Sequence, residues 1–302
     1  MSGGSVPVSG HHGPGSPPRG RSEPVSASAE VEAPSGRVIA VANQKGGVGK
    51  TTTAVNLAAA LAEQGHRVLL ADLDPQGNAT SGVGMRGAQD TATIYEMLLG
   101  DATFADGEQA TAWSNLSLIA STIDLAGAEI ELVSAFSREQ KLRRALEPAR
   151  EVYDLIVIDC PPSLGLLTVN ALTAADGVLV PIQCEYYALE GLGALQRNVE
   201  LVRTNLNPGL EIIGYVLTMH DGRTRLSQQV SAEVTGHFGE RVCKTRVPRS
   251  VRLAEAPSYA QPITVFDPAS RGAIAYHRLA RELVERLASL GTPAPIAGGP
   301  RA

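Results

Sequence analysis

The chain has 302 residues, 43% of them hydrophobic, which is enough apolar material for one large α/β domain or two small ones. A formal charge of −5 excludes the bulk basicity of a nucleic-acid coat, and no apolar run approaches the ~18 residues of a membrane span. Three scattered cysteines, Cys160, Cys184 and Cys243, form no CxxC pair, so buried thiols in a reducing compartment are expected. The N-terminus also lacks the apolar core of a signal peptide, and the expected location is the cytoplasm.

In chain order, residues 1–35 are rich in Gly, Pro, Ser, Val and Ala, with almost no bulky apolar side chain to offset the entropy of ordering. They read as a disordered N-terminal tail. A single folded body is expected over 36–290, and 291–302 as a second, flexible tail. Within the body, β-branched apolar runs predict strands over 37–42, 67–71, 115–120, 155–158, 177–182 and 212–217. Helical spacing falls over 51–64, 164–174, 189–204, 226–238 and 270–290. Near-continuous apolar strands separated by helices predict an α/β fold, a doubly wound, mostly parallel sheet with helices on both faces.

The first strand runs through Asn43 and Gln44 into Lys45-Gly-Gly-Val-Gly-Lys-Thr-Thr, and an Ala/Leu-rich helix follows. Strand, glycine loop and helix form the context of a phosphate-binding P-loop. Backbone N–H groups of Gly46, Gly47, Val48 and Gly49 would line the phosphates, together with the helix start at Thr51 and Thr52. Lys50 supplies a cation for the β/γ-phosphates and the Thr51 hydroxyl a ligand for Mg²⁺. Gln44 stands where the general P-loop pattern has its first glycine, and Lys45 is an additional lysine.

Two further motifs bring carboxylates to strand C-termini, where open α/β sheets bind ligands. One is Asp72-Leu-Asp74-Pro-Gln-Gly-Asn; either carboxylate could also cap its own turn. The other is Ile158-Asp159-Cys-Pro-Pro-Ser, a Walker B pattern that assigns Asp159 to Mg²⁺ directly or through water, with helix N-capping as the alternative. From Arg223 to Arg252, seven basic residues (Arg223, Arg225, Arg241, Lys244, Arg246, Arg249, Arg252) face only Glu233 and Glu240. This is a local anion-binding candidate in an acidic protein, or a solvated charged face.

The loop string resembles the deviant Walker A family, which includes ParA/Soj partition ATPases, MinD and the nitrogenase iron protein. Resemblance to ParA/Soj extends over about 37–288. It is carried by Asp74-Pro-Gln-Gly-Asn-Ala-Thr, Asp159-Cys-Pro-Pro-Ser-Leu, Pro181-Ile-Gln-Cys-Glu-Tyr-Tyr-Ala-Leu-Glu-Gly, Leu217-Thr-Met and Val247-Pro-Arg-Ser-Val-Arg-Leu-Ala-Glu-Ala-Pro-Ser. The resemblance implies ATP with Mg²⁺, slow hydrolysis and an ATP-dependent homodimer in which Lys45 reaches the partner's phosphates across the close backbone of Gly46. It also implies Asp74 as the residue that orients water and Asp72 as its neighbour near the metal. Pro248 and Arg249 are implied beside the adenine, 183–191 at the dimer interface, and Arg223 and Arg252 on nonspecific double-stranded DNA. A ParB/Spo0J-like centromere-binding protein is the implied partner, and the nucleoid the implied place of work. The alternatives are a MinD-like membrane-surface ATPase, disfavoured by the Pro/Gly-broken stretch 288–302 with its one basic residue, and an ATP-gated scaffold with negligible turnover. Three cysteines outside dedicated loops exclude an iron–sulfur relative.

Overall fold

The structure is a computed structural model that describes residues 1, 3–7, 10, 36–85, 91–186, 188–189 and 191–290. Of the expected tails, 11–35 and 291–302 lie outside the described residues. Met1–Glu32 and Ala33–Ala302 separate into two units. In the first, residues 3–7 are exposed and carry neither helix nor strand.

The second unit is built on an eight-stranded sheet: β1 Arg37–Val41, β2 Val68–Asp72, β3 Glu108–Ala110, β4 Leu116–Ile119, β5 Leu155–Asp159, β6 Gly177–Gln183, β7 Glu211–His220 and β8 Val242–Pro248. Its spatial order is β3-β4-β2-β5-β1-β6-β7-β8. Every pairing is parallel except that of β3 with β4. Four longer helices connect the strands, α1 Lys50–Glu63, α2 Leu166–Ala174, α3 Leu192–Asn205 and α4 Arg225–Phe238, and a fifth, α5 Arg271–Ala288, follows the last strand.

The apolar strands are buried on both faces because successive side chains point to opposite sides of the sheet. Val38, Ala40, Ile156 and Ile158 join one core with α2, α3 and α4. Ile39, Val41, Leu155 and Val157 join the other with α1 and α5. α5 buries one stripe (Ala273, Tyr276, Leu279, Ala280, Leu283, Leu287), so its apolar face is already occupied by the core. Among the described residues no helix is long and apolar enough to cross a membrane.

All six expected strands and five expected helices are present, with two helix starts moved by more than one residue. α2 begins at Leu166 after Gly165, and α3 at Leu192, because Gly191 takes φ +81 in the left-handed region. Two strands escape the apolar pattern. β3 has three residues, and β8 carries the exposed Lys244 and Arg246 on the sheet's edge, where charged side chains discourage pairing with another chain. At the opposite rim from the glycine loop, Arg150 and Asp176 form a largely buried pair at 2.9 Å. Arg150 also donates to the carbonyls of Gly36 and Ala174, tying the entry to β1 to the end of α2.

Candidate nucleotide-binding site

β1 lies between β5 and β6 at the point where the strand order reverses, so the loop that follows it opens into the crevice of the sheet. Asn43 anchors the loop's start: its Nδ2 donates to the Pro181 carbonyl at 2.7 Å, and its Oδ1 accepts from the Lys45 N–H at 3.0 Å. On the far side the Thr218 hydroxyl donates to the Val48 carbonyl at 2.8 Å. Gly47 and Gly49 take φ of +73 and +87, which a side chain would strain. A Cβ built on Gly46 or Gly47 meets nothing within 4 Å, so this stretch presents bare backbone to open space. α1 then starts at Lys50 with Thr51 and Thr52 half-buried, and the free N–H groups of its first turn face the same opening.

Lys50 is buried and its Nζ donates to the Lys45 carbonyl at 3.1 Å. Burial lowers its pKa, while Asp159, Cys160 and Asp74 pull the other way, which places three titratable groups around one ammonium. Asp159 closes β5 with no exposure at all, and neither carboxylate oxygen has a hydrogen-bond partner. Its pKa is raised well above the usual carboxylate range, first by burial and then by the Asp72 charge; Thr51 and Lys50 offset part of this. A fully buried carboxylate with two unmet acceptors is costly unless something cationic completes it.

Asp72, opposite Asp159 in the β2–β5 register, is differently engaged. Its Oδ2 accepts from the N–H and hydroxyl of Thr80 at 2.7 and 2.8 Å, and its Oδ1 accepts from the Asp74 N–H at 3.2 Å. Burial raises its pKa to about 6 despite these bonds. With three donors in place, Asp72 holds the Asp74 loop in position and raises the pKa of Asp159 by its charge. Asp74 is 7% exposed, accepts the Gln76 N–H on Oδ1 at 3.0 Å in an Asx turn, and has its carbonyl fixed by the Ser121 hydroxyl at 2.8 Å.

The structure therefore brings Lys45, Lys50, Thr51, Asp72, Asp74 and Asp159 to one edge. The donor set fits Mg²⁺, a hard cation that takes oxygen ligands and keeps several from water or phosphate. No group of three or more His, Cys, Asp or Glu among the described residues encloses a cation, so further ligands would come from outside the chain. Cys160, Cys184 and Cys243 are all free and buried, and burial pushes the Cys160 thiol up, leaving it neutral.

The other expected residues lie along the same edge without converging on the loop. Pro248 ends β8 opposite His220, and Arg249 donates its N–H to the His220 carbonyl while its guanidinium pairs with Glu185. Arg223 pairs with Asp221 at 2.8 Å, and this pairing holds the Asp221 carboxyl far below its usual range. Arg252 is held by Glu255 at 3.0 Å and Asp267 at 2.9 Å, and lies 4.4 Å from the Phe266 ring centre. Of the segment 183–191, residues 187 and 190 lie outside the described residues.

Thr80, Ser121 and Thr218 were not identified from the sequence. Their contacts span sequence separations of 8, 47 and 170 residues, and a lone hydroxyl residue carries no local signal of such a role. Thr80 and Thr218 did stand within strings already singled out, Asp74-Pro-Gln-Gly-Asn-Ala-Thr and Leu217-Thr-Met.

An AAA-domain family model matches residues 36–212. The chain is 58% identical over 248 residues to the sporulation initiation inhibitor protein Soj of Bacillus subtilis, covering 82% of this chain and 98% of that protein. It is 53% identical over 251 residues to the chromosome partitioning protein ParA of Myxococcus xanthus, covering 83% and 89%. Among solved structures it is similar to cobyrinic acid a,c-diamide synthase from Mycobacterium smegmatis with bound ADP and magnesium, with a TM-score of 0.75, 40% identity, and coverage of 87% and 100%. Identity at this level over nearly the whole length of the relatives, together with the glycine loop and the paired strand-end carboxylates, places the chain in the ParA/Soj family of chromosome-partitioning ATPases.

Proposed function

We propose that the protein is an ATP-hydrolysing DNA-segregation switch of ParA/Soj type, cytoplasmic and nucleoid-associated. In this reading ATP closes two copies into a dimer that binds nonspecific duplex DNA, and hydrolysis, stimulated by a ParB-like partner, releases it. The observation that carries the reading is the Asp159 carboxylate, fully buried with both oxygens unmet, beside the open backbone at Gly46 and Gly47. Bound Mg²⁺ would neutralise charge on the phosphates and complete Asp159.

The chain's own groups have separable roles. The loop N–H groups and the α1 terminus receive the phosphates, and Lys50 supplies a fixed positive charge already stripped of most of its water. Asp159 and the Thr51 hydroxyl hold the metal, and Asp72 positions the loop of Asp74. Asp74 orients water through the carboxylate oxygen that its Asx turn leaves over. Lys45 has no carboxylate partner among the described residues, which suits a lysine whose counter-charge comes from a second copy.

Gly46 provides the test of dimer closure. It is exposed and an added side chain meets nothing within the chain, so Gly46→Val should leave unfolding stability within about 0.5 kcal/mol of wild type. The same change should abolish the ATP-dependent dimer in sedimentation or light scattering; a Gly46→Val protein that dimerises normally would rule out close approach at this loop. DNA gating is tested by binding to random-sequence duplex with ATP, with ADP and without nucleotide. Affinity should require ATP and fall steeply with salt. Absence of binding in all three states would leave the ATPase assignment standing and remove the segregation role.

A further inference from the structure

The seven basic residues between Arg223 and Arg252 divide into two groups in the structure. Arg223, Arg249 and Arg252 are each paired with carboxylates of the same chain. Arg225, Arg241, Lys244 and Arg246 have no acidic partner among the described residues. Of these four, Arg246 lines a groove of about 420 Å³ between β8 and α4, together with Gln228, Ser231, Ala232 and Thr235.

Ser231 is 3% exposed, and its hydroxyl oxygen is buried with no hydrogen-bond partner. The other walls carry an amide and a hydroxyl, Gln228 and Thr235, and no acidic side chain lines the groove. His220, at the end of the neighbouring strand, has a buried Nε2 without a partner. Its pKa is lowered first by burial and then by the Arg246 charge, so the ring stays neutral beside that guanidinium. An unpaired guanidinium beside an unmet hydroxyl, in a groove without negative charge, has the donor chemistry of a phosphate-ester site.

We propose that this groove seats a backbone phosphate of duplex DNA, with Arg246 as the charged contact and Ser231 and Thr235 as hydroxyl donors. The inference rests on the DNA-segregation reading and adds a residue to it. Arg223 and Arg252 must surrender part of their own ion pairs to reach a phosphate, whereas Arg246 has no such pair to give up. A contact of this kind fixes register on the duplex and carries no sequence preference.

The test compares wild type, Arg246→Ala and Arg246→Lys, all full-length and with ATP, by anisotropy of a labelled random duplex over a salt series. Parallel arms use vesicles of phosphatidylglycerol. Arg246 is exposed on an edge strand, so the variants should keep the wild-type melting temperature, which is checked first. Arg246→Ala should lower DNA affinity about tenfold and reduce the slope of log affinity against log salt by about 1 for each phosphate lost. Arg246→Lys should keep most of the slope while losing part of the affinity, since an ammonium keeps the charge and lacks the guanidinium's planar fork. Wild type that binds DNA with an affinity and slope unchanged in Arg246→Ala overturns the seat and leaves the segregation reading intact. Wild type that binds no duplex at all, or binds only vesicles through Arg246, overturns both.

Discussion

An Asp74→Asn protein is expected to bind ATP with an affinity within a few-fold of wild type while turning it over at least about a hundredfold more slowly. The amide is chosen because Asp74 does two things at once. Its Oδ1 accepts the Gln76 N–H, and its main chain is tied to Asp72 and Ser121. Asparagine can still accept from Gln76, so the turn survives and only the negative charge is lost. The expected product is a protein caught in its ATP state, with a DNA complex that outlives the wild-type complex. Single-turnover hydrolysis and DNA dissociation measured side by side separate the two effects. Wild-type turnover in Asp74→Asn would leave Asp74 as a turn-former alone.

Replacing Asp159 by Asn should have opposite effects with and without ligand. Without nucleotide or metal, the wild-type protein holds a buried carboxylate with no hydrogen-bond partner, only partly offset by the Lys50 charge, and neutralising it should stabilise the fold by about 1–3 kcal/mol. That corresponds to a rise of roughly 2–8 °C in melting temperature for a domain of this size. With saturating Mg²⁺ and ATP the order should reverse. The wild type gains about 2.7 kcal/mol at a ligand concentration one hundred times its dissociation constant, and the variant forgoes most of that gain.

The pH dependence follows from the direction of the shift. A carboxylate whose folded pKa is raised favours the folded state when protonated, so the wild-type penalty is complete above the folded pKa and fades as pH falls through it. The ligand-free stability gap between Asp159→Asn and wild type should therefore shrink on acidification. Asp72, raised to about 6, carries a penalty of the same sign that fades as pH falls from about 6 to 4, but it is present in both proteins and largely cancels. Calorimetry across pH, with and without ligand, checks all three statements; a variant less stable than wild type in every condition would show that Asp159 has a structural partner in the ligand-free protein.

Much of the site could be read locally because its chemistry is local. A phosphate loop needs consecutive backbone N–H groups at a helix start, so Gly46 to Thr52 must be contiguous in sequence and the motif is visible as a string. Asp72, Asp74 and Asp159 were legible for a related reason, since each terminates an apolar run and parallel strands deliver their C-termini to one edge. The six apolar strands followed from burial on both faces, which demands near-continuous hydrophobicity.

The tertiary structure decided which of those carboxylates is satisfied. Asp72 and Asp159 are both fully buried at the ends of neighbouring strands, but Thr80 and the Asp74 N–H fill the first and nothing fills the second. The same holds for the basic segment, where the sequence shows seven positive charges and the packing of Asp221, Glu185, Glu255 and Asp267 determines which of them are already neutralised. The edge strand β8 was hidden for a parallel reason: its exposed Lys244 and Arg246 break the apolar pattern, and its pairing with β7 depends on a chain segment across the α4 crossover. Sequence by itself determined the fold class and the phosphate loop, because these rest on periodicity and contiguous backbone chemistry. Partner assignment belonged to the fold, because hydrogen bonds and ion pairs between residues tens of positions apart depend on which surfaces the core brings together.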